Sequence, residues 1–169
     1  ARNLLGQGAI VAVKGLGGFH LACDATNDEA ARRLRERKGR VDKPFALMAW
    51  DAATVEGFCY VTEAERALLE SRQRPIVLLR RRSDSPISAA VAPNNDFLGV
   101  MLPYTPLHYL LLEPSPEISN PQSQVTNPES EIANRKSQIA NRNSPLALVM
   151  TSGNFSEEPI ATDNADALE

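Results

Sequence analysis

Cysteine, aromatic residues and long apolar runs are scarce in this chain of 169 residues, and each scarcity excludes a class of protein. The two cysteines, Cys23 and Cys59, are too few for a disulfide framework or a four-ligand zinc site. We therefore expect a reducing, cytoplasmic environment and no metal site built by the protein. No stretch approaches the roughly 18 apolar residues of a membrane span, which predicts no membrane association. The net charge of −3 excludes a globally basic nucleic-acid-binding protein.

The length, with 43% hydrophobic residues, suits one domain. The chain begins at Ala1 without an initiator Met or a signal pattern, so we expect a piece of a longer protein, truncated at its C-terminus. Residues 1–112 contain 15 of the 18 Lys and Arg residues, whereas residues 146–169 contain none and five acidic residues. The positive charge therefore belongs to the first two thirds of the chain.

Between these parts lies an internal repeat. Four seven-residue units, EISNPQS, QVTNPES, EIANRKS and QIANRNS, cover Glu117 to Ser144. Each unit has one apolar residue, whereas a coiled-coil seam needs two, and the prolines of the first two units would break a helix. Such units cannot bury enough apolar surface to offset the entropy lost on ordering. We therefore predict a disordered insertion at about residues 113–145.

The remaining segments alternate between strand-like and helix-like patterns. The predicted strands are Ala9–Val13, His20–Cys23, Pro44–Trp50, Pro75–Leu79, Phe97–Leu102 and Leu146–Met150. Five helices are predicted. The first starts at a capping box over Thr26–Glu29 and runs to about Lys38, the second starts at Asp51, and the third starts at a second capping box over Thr62–Glu65. The fourth spans Thr105–Leu112, and the fifth starts near Asp163. This alternation predicts an α/β open sheet with some parallel pairs, in which ligands bind at strand ends.

Three loops contain residues suited to chemistry. The glycine-rich segment Lys14–His20 is either a tight turn between strands or a backbone that approaches a small ligand closely. In the segment Arg35–Pro44, Gly39 is typical of a helix C-cap, and Lys38, Arg40 and Lys43 form a candidate clamp for polyphosphate or carboxylate. The third segment, Thr151–Asn154, suits phosphate or ribose contacts, although it is also typical of an ordinary turn. Together the loops favour an anionic ligand such as a nucleotide.

Two of these loops resemble the signatures of the YrdC-like domains. Lys38-Gly39-Arg40 with Lys43-Pro44 is similar to the Lys-x-Arg signature, and Ser152-Gly153-Asn154 is similar to the Ser-x-Asn signature. Within that group, four blocks in order resemble the domain found in the HypF family of hydrogenase maturation carbamoyltransferases: KGLGGFHLACDAT, RKGRVDKPFALM, GVMLPYTPLHYLL and VMTSGNFSEEPIAT. The resemblance covers nearly the whole chain except the repeat and implies one YrdC-like domain over residues 1–169.

The resemblance implies a fold and a reaction. YrdC-like domains are twisted open mixed sheets with flanking helices and a positively charged cavity that binds ATP. In the HypF family, carbamate made from carbamoyl phosphate elsewhere in the protein is adenylated here. The carbamoyl group then passes to the C-terminal cysteine of the partner HypE. Mg²⁺ is expected to bridge phosphate oxygens. The chain is thus expected to be a fragment of an ATP-dependent carbamoyltransferase.

The resemblance also implies roles for individual residues. The residues expected to hold the triphosphate, the carbamate and the nucleotide are Lys38, Arg40, Lys43, Thr151, Ser152 and Asn154, with Lys38, Arg40 and His20 in catalytic roles. The residues expected to contact the substrate are Lys14, Gly17, Gly18, Phe19 and His20. His20 is expected either to orient carbamate or the incoming thiolate, or to be a packed histidine. This loop lacks the threonine hydroxyls and the tyrosine of the related threonylcarbamoyl-AMP synthases, which argues against L-threonine as substrate.

Three alternatives stay open at this point, the last of which is a catalytically silent scaffold that does not bind nucleotide. The first is a threonylcarbamoyl-AMP synthase-like enzyme. The second is a module that binds double-stranded RNA or tRNA weakly, which the mildly basic residues 1–112 would allow, although no aromatic stacking surface is present. Cys23 is predicted to be a small buried residue without thiol chemistry, and His108 to pack on a helix.

Overall fold

The protein is built on one mixed β-sheet. A computed structural model describes residues 1–114 and 145–154. The strands in this part of the chain are β1 (Val11–Gly15), β2 (Gly18–Asp24), β3 (Ala46–Ala49), β4 (Val77–Arg80), β5 (Phe97–Met101) and β6 (Ala147–Ser152). Their order across the sheet is β1-β2-β6-β3-β5-β4, and all neighbours are antiparallel except the parallel pair β3 and β5. The predicted α/β open mixed sheet is therefore confirmed.

Helices flank the sheet. They are α1 (Arg2–Gly6), α2 (Asp28–Arg37), α3 (Ala52–Glu56), α4 (Glu63–Glu70) and α5 (Pro106–Leu112), and a 3₁₀ turn spans Ala89–Val91. The side chains of Asp51, Thr62 and Thr105 cap α3, α4 and α5, so the three helices begin where predicted, and Thr62 forms the predicted capping box. Helix α1 and the 3₁₀ turn were not predicted, because such short segments carry too few residues for a periodic pattern.

Two apolar clusters pack on opposite faces of the sheet. Alternate residues of β6 show the division, because Ala147 and Val149 belong to one cluster and Leu148 and Met150 to the other. Helices α2, α3 and α4 contribute buried residues to the first cluster, and α1 and α5 to the second. We call these surfaces the α2 face and the α5 face of the sheet.

The predicted capping box at Thr26 is wrong by one residue. The Asn27 side chain caps α2 by accepting a hydrogen bond from the backbone N–H of Ala30 at 3.0 Å. Thr26 instead donates both its backbone N–H and its hydroxyl to Asp24 Oδ1, at 2.8 and 2.7 Å. The preceding aspartate therefore captures the group that the sequence pattern assigned to the helix.

The predicted strands are all present, with ends within two residues of those expected. The last strand is longer than predicted, because pairing with β2 continues through Thr151 and Ser152, opposite Leu21 and His20. These two residues therefore lie in β6 rather than in the loop that follows it. The predicted helix near Asp163 and nearly all of the predicted insertion lie outside the described residues.

Candidate functional site

The three loops singled out in the sequence meet at one end of the sheet. Strand β2 runs antiparallel to both β1 and β6, so the β1–β2 turn lies beside the carboxyl end of β6. Strand β3 is also antiparallel to β6, which brings the loop that enters β3 to the same end. A hydrogen bond of 2.7 Å from the Gly153 N–H to the Phe19 carbonyl joins the first and third loops.

Gly39 determines how the chain leaves α2. Its φ of +56° is unfavourable for residues with a side chain. Its N–H donates to the Glu36 carbonyl and the Arg40 N–H donates to the Arg35 carbonyl, each at 3.0 Å, which together form a Schellman motif. The motif ends the helix after its C-cap residue Lys38 and directs Arg40 into the following loop.

Lys38 is buried, with 5% of its surface exposed. Its ammonium donates to the carbonyl oxygens of Ser152 and Asn154, the latter at 2.6 Å. Burial lowers the pKa of Lys38, and the nearby charges of Arg40 and Lys43 lower it further. An ammonium has three N–H groups, so one remains without a partner among the described residues. Keeping Lys38 charged in this buried position therefore costs free energy, and one of its N–H groups has no partner among the described residues.

Arg40 is fixed from several directions. Its Nε donates to the Lys43 carbonyl at 2.9 Å and its Nη2 to the Pro44 carbonyl at 2.8 Å. Its Nη1 donates to the hydroxyl of Thr151 at 3.0 Å, and its guanidinium lies 4.8 Å from the centre of the Phe45 ring. Burial lowers the pKa of Arg40. Among the described residues these bonds use three of the five N–H groups, so one on each terminal nitrogen has no partner there.

Within the described ranges, the cations at this end of the sheet have no acidic partner. Among the described residues, no carboxylate lies within ion-pair distance of Lys38, Arg40 or Lys43, and the ion pairs involve other arginines. The side chain of Lys43 is exposed. We call these three residues the cation cluster. Uncompensated positive charge with spare donors is suited to binding phosphate or carboxylate oxygens.

The glycine-rich loop is a tight hairpin, in agreement with one of the two interpretations of the sequence. Gly15 pairs with Gly18 across a two-residue turn that contains Gly17, and Gly18 has a φ of +134°. The ammonium of Lys14 lies 5.4 Å from the centre of the Phe19 ring. Whether this loop contacts a substrate stays a prediction.

His20 lies beside this turn and is partly buried. A Cβ added to Gly15 would lie 2.8 Å from both Nδ1 and Cε1 of the His20 ring, so the glycine makes room for the imidazole. The Nδ1 atom is buried without a hydrogen-bond partner among the described residues, and burial lowers the pKa of His20. Burial therefore favours the neutral form of the His20 imidazole, and its proposed chemical role stays a prediction.

The predicted site residues divide between the two faces of the sheet. Thr151 shares the α2 face with Arg40, whereas strand alternation places Ser152 and His20 on the α5 face. Ser152 and Asn154 contact Lys38 through their backbone carbonyls. The sequence signature names these residues but does not tell which of their atoms are used.

Arg35 is a residue of this end of the sheet that the sequence did not single out. Its guanidinium donates to carbonyls of the loop that contains Arg40 and lies 4.7 Å from the centre of the Phe45 ring. In the sequence it is one of several basic residues in the last turn of a helix, which is ordinary helix chemistry. No pattern distinguished it from its neighbours.

A groove of about 300 Å³ lies elsewhere, at the carboxyl ends of β3 and β5. Trp50, Glu70 and Tyr109 line it, and it contains none of the predicted site residues. The described residues include no cluster of three or more side chains able to ligate a metal. Within the same ranges, no helix is long and apolar enough to cross a membrane.

The fold is an α/β domain, and the cation cluster lies at one end of its sheet. The family model for Sua5, YciO and YrdC, described as "Telomere recombination", matches residues 3–169. The chain belongs to this family, and its resemblance to the YrdC-like domain of HypF is confirmed by the relatives.

Two relatives are carbamoyltransferases. HypF2 of Cupriavidus necator is 46% identical over 166 residues, covering 98% of this chain and 19% of the relative. HypF of Synechocystis sp. is 40% identical over 161 residues, covering 95% of this chain and 17% of the relative. The chain thus spans less than a fifth of the length of these relatives.

Solved structures agree with the fold. Full-length HypF in its phosphate- and nucleotide-bound form has a TM-score of 0.78 and 42% identity, covering 99% of this chain and 18% of that one. P. abyssi Sua5 complexed with L-threonine has a TM-score of 0.66 at 18% identity, covering 98% of this chain and 41% of that one. The second comparison supports the fold alone.

Proposed function

We propose that this domain adenylates carbamate with ATP and that the carbamoyl group then passes to the C-terminal cysteine of a HypE-like partner during hydrogenase maturation. The observation that carries the proposal is the cation cluster, which has spare donors and no acidic partner among the described residues. Relatives named as HypF carbamoyltransferases, one of them solved with phosphate and nucleotide bound, support the choice of ligand.

In the proposed reaction, an oxygen of carbamate attacks the α-phosphorus of ATP. The bond between this phosphorus and the oxygen that bridges to the β-phosphate breaks, pyrophosphate leaves, and carbamoyl-AMP forms. The acceptor thiolate then attacks the carbamoyl carbon and expels AMP. Little covalent chemistry falls to the protein in the first step, so positioning and charge neutralisation are its main contributions.

The cation cluster can perform that work. Lys38 and Arg40 each keep free N–H groups and have lowered pKa values, so a bound anion would relieve an electrostatic cost already present. We assign Lys38 and Arg40 to the triphosphate and carbamate oxygens, and the exposed Lys43 to the outer phosphates. Thr151, Ser152 and Asn154 shape the end of β6, where the α-phosphate and nucleotide would lie.

The glycine-rich hairpin is assigned to the small substrate. Its two turn residues, Leu16 and Gly17, have no polar side chain, and burial favours the neutral form of His20 beside them. Because Nδ1 is buried, only Nε2 of the imidazole could meet carbamate, where a neutral ring either donates or accepts one hydrogen bond. We also assign Lys14, Gly17, Gly18 and Phe19 to this substrate, although Lys14 and Phe19 pair across the hairpin on the face opposite to His20. The loop offers no hydroxyl to an L-threonine side chain.

The described residues do not form a protein cage for Mg²⁺. A magnesium ion in this reaction would therefore be carried by the triphosphate, as its preference for phosphate oxygens and water allows. No step above is routed through it.

The proposal is tested by carbamate-dependent exchange of labelled pyrophosphate into ATP. We expect exchange with ammonium carbamate and none with L-threonine plus bicarbonate. Arg40→Ala should reduce exchange at least tenfold, whereas Arg37→Ala, which removes an exposed arginine from the last turn of α2, should leave it unchanged. Exchange with the threonine pair alone would favour the synthase-like alternative. Tight, strongly salt-dependent binding of double-stranded RNA without exchange would favour the nucleic-acid alternative.

A further inference from the structure

Arg35 links three separate segments of the chain. Its Nη1 donates to the carbonyls of Arg40 at 2.9 Å, Val41 at 3.0 Å and Lys43 at 3.3 Å. Its Nε donates to the Ala90 carbonyl at 2.9 Å and its Nη2 to the Val91 carbonyl at 3.2 Å. One side chain of α2 therefore ties the loop 40–43 to the 3₁₀ turn 89–91.

The donors of Arg35 are nearly all committed to backbone. Its five contacts with carbonyl oxygens engage all three of its nitrogens, whereas Arg40 keeps an N–H on each terminal nitrogen. Burial lowers the pKa of Arg35, and no carboxylate lies within ion-pair distance of it in the described ranges. Arg35 therefore organises the loop, whereas Arg40 keeps donors with which it can bind a ligand.

Arg35 and Arg40 also pack against the same aromatic ring, that of Phe45. Their guanidinium groups lie 4.7 and 4.8 Å from the centre of the Phe45 ring. The Phe45 N–H donates to the Val91 carbonyl at 2.8 Å, so the ring belongs to the segment that Arg35 anchors. The Lys43 carbonyl accepts from both guanidiniums. A change in the position of Arg35 would therefore move the acceptors and the ring that orient Arg40.

We propose that Arg35 is a positioning residue that holds the loop 40–43 in the shape in which Arg40 presents its free N–H groups to an anion. The proposal rests on the proposed function only for the identity of that anion. Lysine cannot replace Arg35, because a single tetrahedral ammonium cannot reach five carbonyls in three directions and lacks a planar face for the Phe45 ring.

The test is a double-mutant cycle on the affinity for ATP and, separately, for inorganic tripolyphosphate. We expect Arg35→Lys to weaken both affinities about tenfold. In an Arg40→Ala background the same change should have an effect of less than about twofold, because the group that it positions is gone. Arg33→Lys is the matched control, since Arg33 lies on the same helix and also donates to a carbonyl, that of Gly8, away from this loop. It should leave both affinities unchanged.

The outcomes separate the two proposals. Additive effects of the Arg35 and Arg40 changes, or a lowered Tm with unchanged affinities, would overturn the positioning role and show a purely structural one. Should Arg35→Lys fail to fold, Arg35→Gln enters the same cycle with the same criterion. If the wild-type domain binds tripolyphosphate but not ATP, the proposed function fails while the cycle on tripolyphosphate still decides the role of Arg35. Binding of neither probe would overturn both.

Discussion

Replacing Lys38 with methionine separates ligand binding from stability more sharply than any other change in the cation cluster. Methionine keeps an unbranched side chain of similar length and removes only the charge and its N–H groups. The charge-matched control is Arg72→Met, an exposed arginine in the turn that follows α4. Both variants change the net charge by the same amount, so a difference between them reports the position of the charge.

We expect a large effect of Lys38→Met on ATP binding. A hydrogen bond to a charged group contributes about 1.5–3 kcal/mol, which corresponds to an affinity loss of about 10- to 150-fold. The loss lies within this range because the ammonium has one donor to spare and its bonds to the Ser152 and Asn154 carbonyls are internal. Isothermal titration calorimetry with ATP measures it directly.

The effect of Lys38→Met on stability should be small. Two carbonyls lose a donor, but Ser152 and Asn154 are only partly buried, so water can reach them. The lowered pKa of Lys38 shows that the folded protein holds the charged form at a cost, and the substitution removes that cost. We expect these opposing effects to leave Tm within about 4 °C of the wild type, which corresponds to about 1 kcal/mol for a domain of this size.

The pH dependence provides an independent readout. Because the pKa of Lys38 is lowered, ATP affinity should fall as the pH rises through this value towards 10.5. In the same window the unfolded chain binds more protons at this residue than the folded one, so its contribution to stability rises with pH. A loss of ATP affinity in this pH range would therefore not result from unfolding caused by deprotonation of Lys38. Lys38→Met should lack this alkaline step.

Two results would contradict a ligand-binding role of Lys38. An ATP affinity of Lys38→Met equal to that of Arg72→Met would show that Lys38 does not bind the nucleotide. The second result is a Tm that falls by more than about 10 °C while the molecules that remain folded bind ATP with unchanged affinity. Lys38 would then be a structural residue that ties α2 to β6.

Three further outcomes are expected. Burial lowers the pKa of His108, so Tm should fall as the pH drops below 6.5, where the unfolded chain takes up the proton, and His108→Leu should flatten this slope in thermal melts. Gly153→Ala should lower stability by about 1–3 kcal/mol in urea titrations, because its Cβ would lie 3.1 Å from both Cβ and the carbonyl oxygen of Phe19. A Cβ added to Gly17 would have no atom within 4 Å, so Gly17→Ala should leave the stability unchanged. Both cysteines are buried with pKa values raised to about 12, so the native protein should not react with Ellman's reagent at pH 8.

Much of the fold was predictable because local rules and tertiary packing agree in most of its segments. The capping box at Thr62 formed as expected, since both reciprocal hydrogen bonds are available there. At Thr26 the same pattern failed, because Asp24, two residues earlier, competes for the hydroxyl. The pattern counts residue types at fixed spacing and does not include a competing acceptor outside the motif.

The sequence could indicate which residues meet at this end of the sheet, but not the atoms through which they meet. The signatures identified Lys38, Arg40 and Ser152, but Ser152 meets Lys38 through its carbonyl because β6 continues two residues further than its apolar run indicated. Arg35 was missed for a related reason. Its importance depends on the carbonyls of residues 90 and 91, which are distant in sequence and are brought close only by the folded chain.

The topology explains why side chains must supply the positive charge of this site. Strand β6 lies between β2 and β3 and is antiparallel to both, so its carboxyl end meets the segments that enter those strands. Helix α2 arrives there with its C-terminus, whose dipole repels anions, whereas many phosphate sites use helix N-termini and their free N–H groups. The backbone of α2 therefore opposes an anion, and Lys38, Arg40 and Lys43 must outweigh it. For this reason we expect the loss of a single cation to be poorly compensated by the rest of the cluster.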